Sequence, residues 1–490
     1  MAVLCQGSTG AAVVALQQQL LLLGCLAGDV DGAFGPATDQ AVRDIQRRLL
    51  LKPDGVVGPL TQASLASAVA RQPPAPVSVF RHLYRQALAD AARGLCSQAR
   101  LPYLDRGLAG SPFLSAVPGY ADRLAVSVPA LQLVPYPDRF GSFSAYPSHG
   151  VVPAIVNGSA GRGGLEFLSD SVAQACLCAG SYAADRPLRV RWYGRHAFDA
   201  NVQFWSATKF IAPLLVVAQA NRRSPGLPIG STTVVSLDGS RSESFSQLLR
   251  DMVSYAHRAG EDDGSSNRIA YMFKQLLNSG EPDVQTWLRS LSGNPQALLL
   301  GWHGSWESRH SSDPPIFNPY RQGAELQGPE GKRLVALRPL PRTRNLVSAY
   351  DLVRMISMLG WHHQLDRGSR LPAAQWSSLA TVVEALGHDT ARYVDVALER
   401  LGLLGSLADP VILSKMGYGT DMGDLSIDAL CYVAFCSFRD TRTSPARQRC
   451  FAFALRIPAS PGEAGALRDD ARMATEVTEI VRRIFAEELS

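Results

Sequence analysis

Along the first part of the chain the apolar positions fall at helical spacing. Leu16, Leu20 and Leu23 lie on one helix face and the run stops at Gly24. DVDGAFGPAT (29–38) and PDGVVGPLT (53–61) are two similar Asp-Gly turns, each running into a helix, and the amphipathic stretch AVRDIQRRL lies between them. Residues 4–65 are therefore predicted to form a compact unit of three helices. RQPPAPVS (71–78) reads as a Pro-rich linker. Residues 79–160 open with a helical stretch, FRHLYRQALADAARGL, and then turn rich in Pro, Gly, Tyr and Ser. They are expected to form an extension packed on the next domain, and no chemistry is assigned to them.

From about residue 163 the pattern changes again. GLEFLSDSVAQACLCAG is predicted as a helix and PLRVRWYGR as a strand. ALCYVAFCSF and RCFAFALRIP read as neighbouring strands, and ARMATEVTEIVRRIFAEEL as a closing amphipathic helix. Helix, strand, a large helical insert, strands and a final helix describe an α/β domain: an antiparallel sheet with helices on both sides. The expected organisation is multi-domain. Residues 1–70 form a small all-α unit, 71–162 a linker and extension, and 163–490 the α/β domain.

Composition adds exclusions. A chain of 490 residues is long for one domain. With 46% apolar and 19% charged residues, its make-up is that of a soluble globular protein. The net charge of +5 comes without any basic block, so nucleic acid is not expected as a partner. LLLLGCLAG, IAPLLVVAQA and LCYVAFC are too short to span a bilayer. MAVLCQGSTG has neither a basic n-region nor an apolar h-region, so no signal peptide is visible. The eight cysteines include no CxxC. Pairing of Cys5 with Cys25, or of Cys436 with Cys450, is left open by the sequence. There is no HxH or HExxH, and His362 and His363, as neighbours, would point different ways on a helix, which argues against a zinc peptidase. No metal and no cofactor are expected.

Only five of the 48 basic residues are lysines: Lys52, Lys209, Lys274, Lys332 and Lys415. A chain so biased uses Arg wherever a permanent charge suffices, whereas Lys can lose its proton when buried. The lysines are therefore the first places to look for chemistry. In FWSATKF, Ser206 and Lys209 stand three apart at the start of an apolar helix and would share one face. A hydroxyl needs a nearby base to become a nucleophile, and a desolvated Lys can be that base. The alternative is a helix cap beside a snorkelling Lys. EDDGSSNRIAYMFKQLL places Ser265-Ser266-Asn267 at a helix start, 59 residues after Ser206, and VILSKMGYGTDMG places Lys415-Met416-Gly417 at the end of an apolar strand. Their alternatives are a polar helix cap and a solvated strand end. Ser292-Gly293-Asn294 is a second SxN, but LSGN reads as a helix-ending turn.

Two resemblances follow from these motifs. LQ at 16–17, DG-x-FG-x-x-T, AV-x-x-x-Q at 41–46 and DG-x-VG-x-x-T resemble the peptidoglycan-binding domain of cell-wall hydrolases, although Ile45 stands where that family usually carries an aromatic. The resemblance implies peptidoglycan as a partner. SxxK, SxN and KxG in this order resemble the penicillin-recognising serine hydrolases, meaning class A-like β-lactamases and serine D,D-peptidases. That resemblance implies Ser206 as nucleophile, Lys209 as its base and Ser265 as proton relay. It implies Asn267 as a substrate-amide ligand and Lys415 as the charge for a substrate carboxylate. The backbone N–H groups of Ser206 and Tyr418, next to Gly417, would form the oxyanion hole. Met416 departs from the Thr or Ser usual there and cannot donate a hydrogen bond. Glu307 is the candidate for activating water, with a plain surface-loop role as its alternative. The expected function is a wall-associated serine acyl-enzyme hydrolase acting on peptidoglycan peptides or β-lactams, located in the periplasm or at the wall. The alternative is an inactive member of the fold that binds peptidoglycan.

Overall fold

The computed structural model describes residues 3–23, 25–26, 30–49, 51–71, 76–125, 134–138, 142–157, 164–183, 186–255, 265–303, 324–338, 344–419 and 428–489. The N-terminal unit has helices α1 (Ala11–Leu22), α2 (Pro36–Arg48) and α3 (Pro59–Arg71) around its own core of Leu16, Leu20, Phe34, Val42, Ile45, Val57 and Leu65. Its repeated turns are held by one device used twice. Gln17 on α1 is buried; its Oε1 accepts from Gly32 N at 2.9 Å, and its Nε2 donates to Asp31 Oδ1, Ala33 O and Thr38 Oγ1 at 2.8–3.0 Å. Gln46 on α2 repeats this one turn later: Oε1 accepts from Gly55 N at 3.0 Å, and Nε2 donates to Asp54 Oδ1 and Val56 O, both at 3.0 Å. A single amide side chain thus satisfies the donors and acceptors of each Asp-Gly turn, as buried backbone requires.

The rest of the chain forms helices α4 (Pro76–Ala92), α5 (Tyr120–Ala125), α6 (Ile211–Arg223), α7 (Phe245–Ser254), α8 (Ser265–Gln275), α9 (Val284–Ser292), α10 (Ala349–Gly360), α11 (Trp376–Leu386), α12 (Tyr393–Arg400) and α13 (Gly462–Ala486). The principal strands are β1 (Ser144–Ala145), β2 (Ile155–Asn157), β3 (Gln174–Ala183) and β4 (Arg186–Arg195), followed by β5 (Thr233–Ser236), β6 (Ser242–Ser244) and β7 (Leu298–Leu299). After these come β8 (Ala324–Gln327), β9 (Arg333–Ala336), β10 (Asn345–Leu346), β11 (Leu407–Gly419), β12 (Ala429–Asp440) and β13 (Arg447–Pro458). The main sheet runs β1-β4-β3-β13-β12-β11 antiparallel, with β2 joining β4 in parallel. Strand alternation feeds two cores. Cys431, Val433 and Phe435 of β12 face the cluster holding α6, α7, α10 and α11; Leu430, Tyr432 and Ala434 face the cluster holding α4, α12 and α13.

One expected helix is a strand. The predicted helix across SVAQACLCAG is β3, in which Cys176 and Cys178 enter one core while Ala175, Leu177 and Ala179 enter the other. A strand buried on both faces is a continuous apolar run, which carries no period to tell it from a helix. All eight cysteines are free thiols. The stretch after the linker joins the sheet through β1 and β2. It is also pinned to the last helix: Asp470 on α13 accepts from the backbone N–H groups of Tyr103 and Leu104 at 2.9 and 3.0 Å and from the Tyr393 hydroxyl at 2.5 Å. No helix among the described residues is long and apolar enough to cross a membrane.

The repeated glutamine makes a paired prediction. Gln17→Leu and Gln46→Leu each strand a buried Gly N–H, so each is expected to cost about 1–3 kcal/mol. The costs should be similar, and amide exchange at Gly32 or Gly55 should accelerate only in the corresponding variant. Equal exchange at both glycines in either variant would contradict independent clamping.

Candidate active site

The site begins where β11 meets the turn before α6. Trp205–Thr208 is a 3-10 turn, closed by the Lys209 N–H donating to the Ser206 carbonyl at 3.1 Å. In such a turn residues three apart eclipse, so Ser206 and Lys209 fall on the same side. The α-helix proper starts only at Ile211, later than the sequence implied. Trp205 has a left-handed φ of 47°, which starts the turn there, and Pro213, lacking an N–H, fits only in the first helical turn. A left-handed non-glycine residue costs on the order of 1–3 kcal/mol and persists only under constraint from its surroundings. Here the constraint is β11. A Cβ on Gly417 would come within 2.5 Å of Phe204 O and 3.0 Å of Ser206 N, and one on Gly419 would overlap the Trp205 indole at 2.2 Å. The strand's two glycines therefore let the Ser206 turn lie directly on its backbone.

Three of the five lysines converge beside this contact, all buried: Lys209, Lys274 and Lys415; Lys52 and Lys332 are exposed. Lys209 Nζ donates to Ser266 Oγ at 2.9 Å, and that hydroxyl donates to Met252 O at 2.7 Å. Lys415 Nζ lies 3.5 Å from Asp389 Oδ1, with both side chains fully buried, and donates to Met416 O at 3.2 Å. Lys415 is thus no solvated strand end. Tyr255, half-buried and left-handed (φ 53°) at the end of α7, presents its ring to both ammonium groups, 4.1 Å from Lys415 Nζ and 5.0 Å from Lys209 Nζ. Lys274, two turns beyond Ser266 on α8, donates to Gly301 O at 2.9 Å and Asn345 Oδ1 at 2.8 Å.

The electrostatics follow from burial. Desolvation holds Lys209 well below the usual lysine range, and the neighbouring charges of Lys415 and Lys274 push it the same way. Burial also lowers Lys274. His303, buried beside them, is lowered by desolvation first and then by the three lysines. Asp389 is raised by burial, and Lys415 opposes that rise. A neutral amine at Lys209 is the form that can accept a proton.

The remaining candidates are placed as follows. Ser206 is half-buried and makes no side-chain hydrogen bond among the described residues; the bond from Lys209 goes to Ser266. Ser265 is the first residue of α8, and half-buried Asn267 lies in the same turn. Met416 points to the opposite core, where it packs with Ile412 and Leu430; the nearby hydroxyl, Ser414, donates instead to Asp389 Oδ2 at 3.0 Å. Gly417 is buried and Tyr418 half-buried on β11. Glu307 lies outside the described residues. The second SxN is structural, as LSGN suggested. Gly293 ends α9 in the left-handed region, and Asn294 Nδ2 donates to Asp351 Oδ2 at 2.9 Å. Sequence reasoning missed Tyr255, which belongs to no motif, and Lys274, which the lysine count had marked without assigning a role.

Residues 9–65 match the family model described as "Putative peptidoglycan binding domain". An uncharacterized protein in the bpoA1 3′ region of Kitasatospora aureofaciens is 52% identical over 63 residues, 13% of this chain and 53% of that protein, so the match spans about half the relative's length. Among solved structures, the TLA-3 extended-spectrum β-lactamase is similar with a TM-score of 0.36 at 11% identity, over 64% of this chain and 96% of its own. A class A β-lactamase from Bacteroides cellulosilyticus gives 0.32 at 12% identity, over 63% and 92%.

Two outcomes test the geometry. Gly417→Ala is expected to displace the 205–208 turn and to cost about 1–3 kcal/mol by overpacking; an unchanged melting temperature would contradict the close approach. Lys209→Met is expected to stabilise the protein by about 1–4 kcal/mol, because it removes an amine that folding must desolvate or deprotonate. The sign with pH is fixed. The lysine's folded pKa lies below its unfolded value of about 10.4, so the unfolded chain binds more protons and wild-type stability falls as pH falls. The variant's advantage should therefore grow toward lower pH, as read by denaturant unfolding at several pH values.

Proposed function

We propose that the protein is a wall-associated serine acyl-enzyme, a hydrolase or peptidase acting on peptidoglycan peptides and on β-lactams that mimic them. The observation that carries this reading is the burial of three of the chain's five lysines around the Ser206 turn. Arginine would supply charge there, but it could not supply a base. The N-terminal module would hold the enzyme to peptidoglycan. No nucleic acid, metal or cofactor enters the proposed reaction.

In this mechanism neutral Lys209 takes the proton from Ser206 Oγ as that oxygen attacks the substrate carbonyl carbon. The backbone N–H groups of Ser206 and Tyr418 receive the developing oxyanion. The amide C–N bond then breaks. The leaving nitrogen takes a proton from a serine hydroxyl, which is re-protonated by the Lys209 ammonium. We assign this relay to Ser265, the first residue of α8; the neighbouring Ser266 hydroxyl is fully buried, accepts from Lys209 and donates to Met252 O, and so anchors the lysine. Lys415 supplies charge for a substrate carboxylate, and Asn267 binds the substrate amide. Glu307 is the proposed activator of water if the ester is hydrolysed rapidly. Without such a base the ester persists, which favours a peptidase or transferase over an efficient β-lactamase. A second reading, a peptidoglycan-binding protein without chemistry, is favoured by the core packing of Met416 and by the absence of a side-chain hydrogen bond between Ser206 and Lys209.

Intact mass after incubation with benzylpenicillin separates the two. An adduct present in the wild type and lost in Ser206→Ala is the expected result. Neither adduct nor Ser206-dependent penicillin consumption would leave the binding protein. In an active enzyme, Lys415→Met should move the acid limb of acylation to higher pH, since Lys415 depresses the pKa of Lys209; an unmoved limb would remove Lys209 as the base.

A further inference from the structure

At the far end of α6, ten residues beyond Lys209, lies a second concave site. A pocket of about 360 Å³ is lined by the last turn of α6, the connection between α8 and α9, and the β9 strand. Four arginines surround it: Arg222 and Arg223 from α6, and Arg333 and Arg338 from β9 and the residues after it. The single carboxylate in the lining, Glu281, pairs with Arg222. Arg333 reaches Glu325 only at 3.9 Å, with 67% of its side chain exposed. Arg223 and Arg338 make no side-chain hydrogen bond or ion pair among the described residues. Four guanidinium groups against Glu281 in the lining and Glu325 beyond it leave a pocket with a positive excess, lined by donors from three separate elements.

Gln219 is the second observation. It lines the same pocket and is fully buried. Its Oε1 accepts from Asn278 N at 2.6 Å, which fixes the carboxamide orientation. Its Nε2 has no hydrogen-bond partner among the described residues. A buried N–H donor left empty costs about 1–3 kcal/mol, so one held in a fixed orientation beside four arginines calls for an acceptor.

We propose that this pocket binds a phosphoryl group, carried by a small phosphate ester or a phosphate-bearing envelope glycan. Converging donors from three elements suit the several oxygens of a tetrahedral phosphate. A planar carboxylate is satisfied by one arginine fork. The volume falls within the range of small-ligand sites, at its lower end, and apolar Leu277 and Leu334 give the pocket a face for a non-ionic portion of the ligand. The site is separate from the Ser206 turn and does not depend on the acyl-enzyme reading.

The test is calorimetric titration of the full chain in phosphate-free buffer at fixed ionic strength, using sodium pyrophosphate, glycerol phosphate, glucose 1-phosphate and citrate. Saturable one-to-one binding of pyrophosphate is expected. It should weaken at least tenfold in the Arg223→Ser/Arg338→Ser double variant and several-fold in Gln219→Leu. It should be unchanged in Arg47→Ser/Arg93→Ser, which removes the same charge elsewhere on the surface. Tighter binding of glucose 1-phosphate than of glycerol phosphate would point to a phosphate-bearing glycan as the source, and the reverse to a small phosphate ester. Three results would overturn the proposal: no saturable binding by the wild type, equal weakening in the Arg47/Arg93 control, or citrate binding as tightly as pyrophosphate. Melting temperatures matching the wild type verify that the arginine variants are folded.

Discussion

A buried ammonium must find acceptors or give up its proton, and this chain buries three of them in one site with Asp389 as the carboxylate beside Lys415. The surrounding structure answers that demand group by group. Lys274 is met by a carbonyl and an amide oxygen, Lys209 by a hydroxyl, and Lys415 by the carboxylate. The Tyr255 ring adds a face worth about 0.5–2 kcal/mol to whichever of the two amines beside it carries a proton. The contrast with arginine is instructive. Where a permanent buried cation is wanted, the chain places Arg392, forked onto Asp395 at 2.7 and 3.0 Å. The three buried lysines have no such fork: only Lys415 has a carboxylate within ion-pair distance among the described residues.

The second constraint is steric. Gly417 and Gly419 allow the edge strand to touch the turn that carries Ser206, and the touch holds Trp205 in a conformation it would otherwise leave. Nucleophile candidate, lysine and strand are thereby fixed by backbone contact rather than by long side chains. The spacing Ser-x-x-Lys and the glycine of Lys-x-Gly are two sides of one packing interface.

Much of this was legible in the sequence because it is local. The three N-terminal helices and the last helix announce themselves by period, and the strand pair β12 and β13 by runs enriched in aromatic and β-branched residues. Even the repeated Gln was visible as a motif, though its clamping of each turn was not. What failed to show was set by tertiary context. β3 read as a helix because both of its faces are covered. That the Ser266 hydroxyl accepts from Lys209 depends on helical phase, about 100° per residue, which no motif specifies. Tyr255 gave no signal, since its position depends on how α7 ends against two lysines distant in sequence, Lys209 before it and Lys415 after it. Lys274 was legible only through the scarcity of its type.

The free thiols of the sheet have a practical consequence. Cys176, Cys178, Cys431, Cys436 and Cys450 all lie buried on β3, β12 and β13, and desolvation raises each of them, Cys431 and Cys450 to about 12. Alkylating reagents attack the thiolate, so these five sulfurs are silent while the sheet stays closed. Exposed Cys5 sits in a different module and would report immediately. The protein thus carries an internal pair of chronometers: one fast label that marks the molecule, and a slow set whose modification rate records how often the central sheet opens.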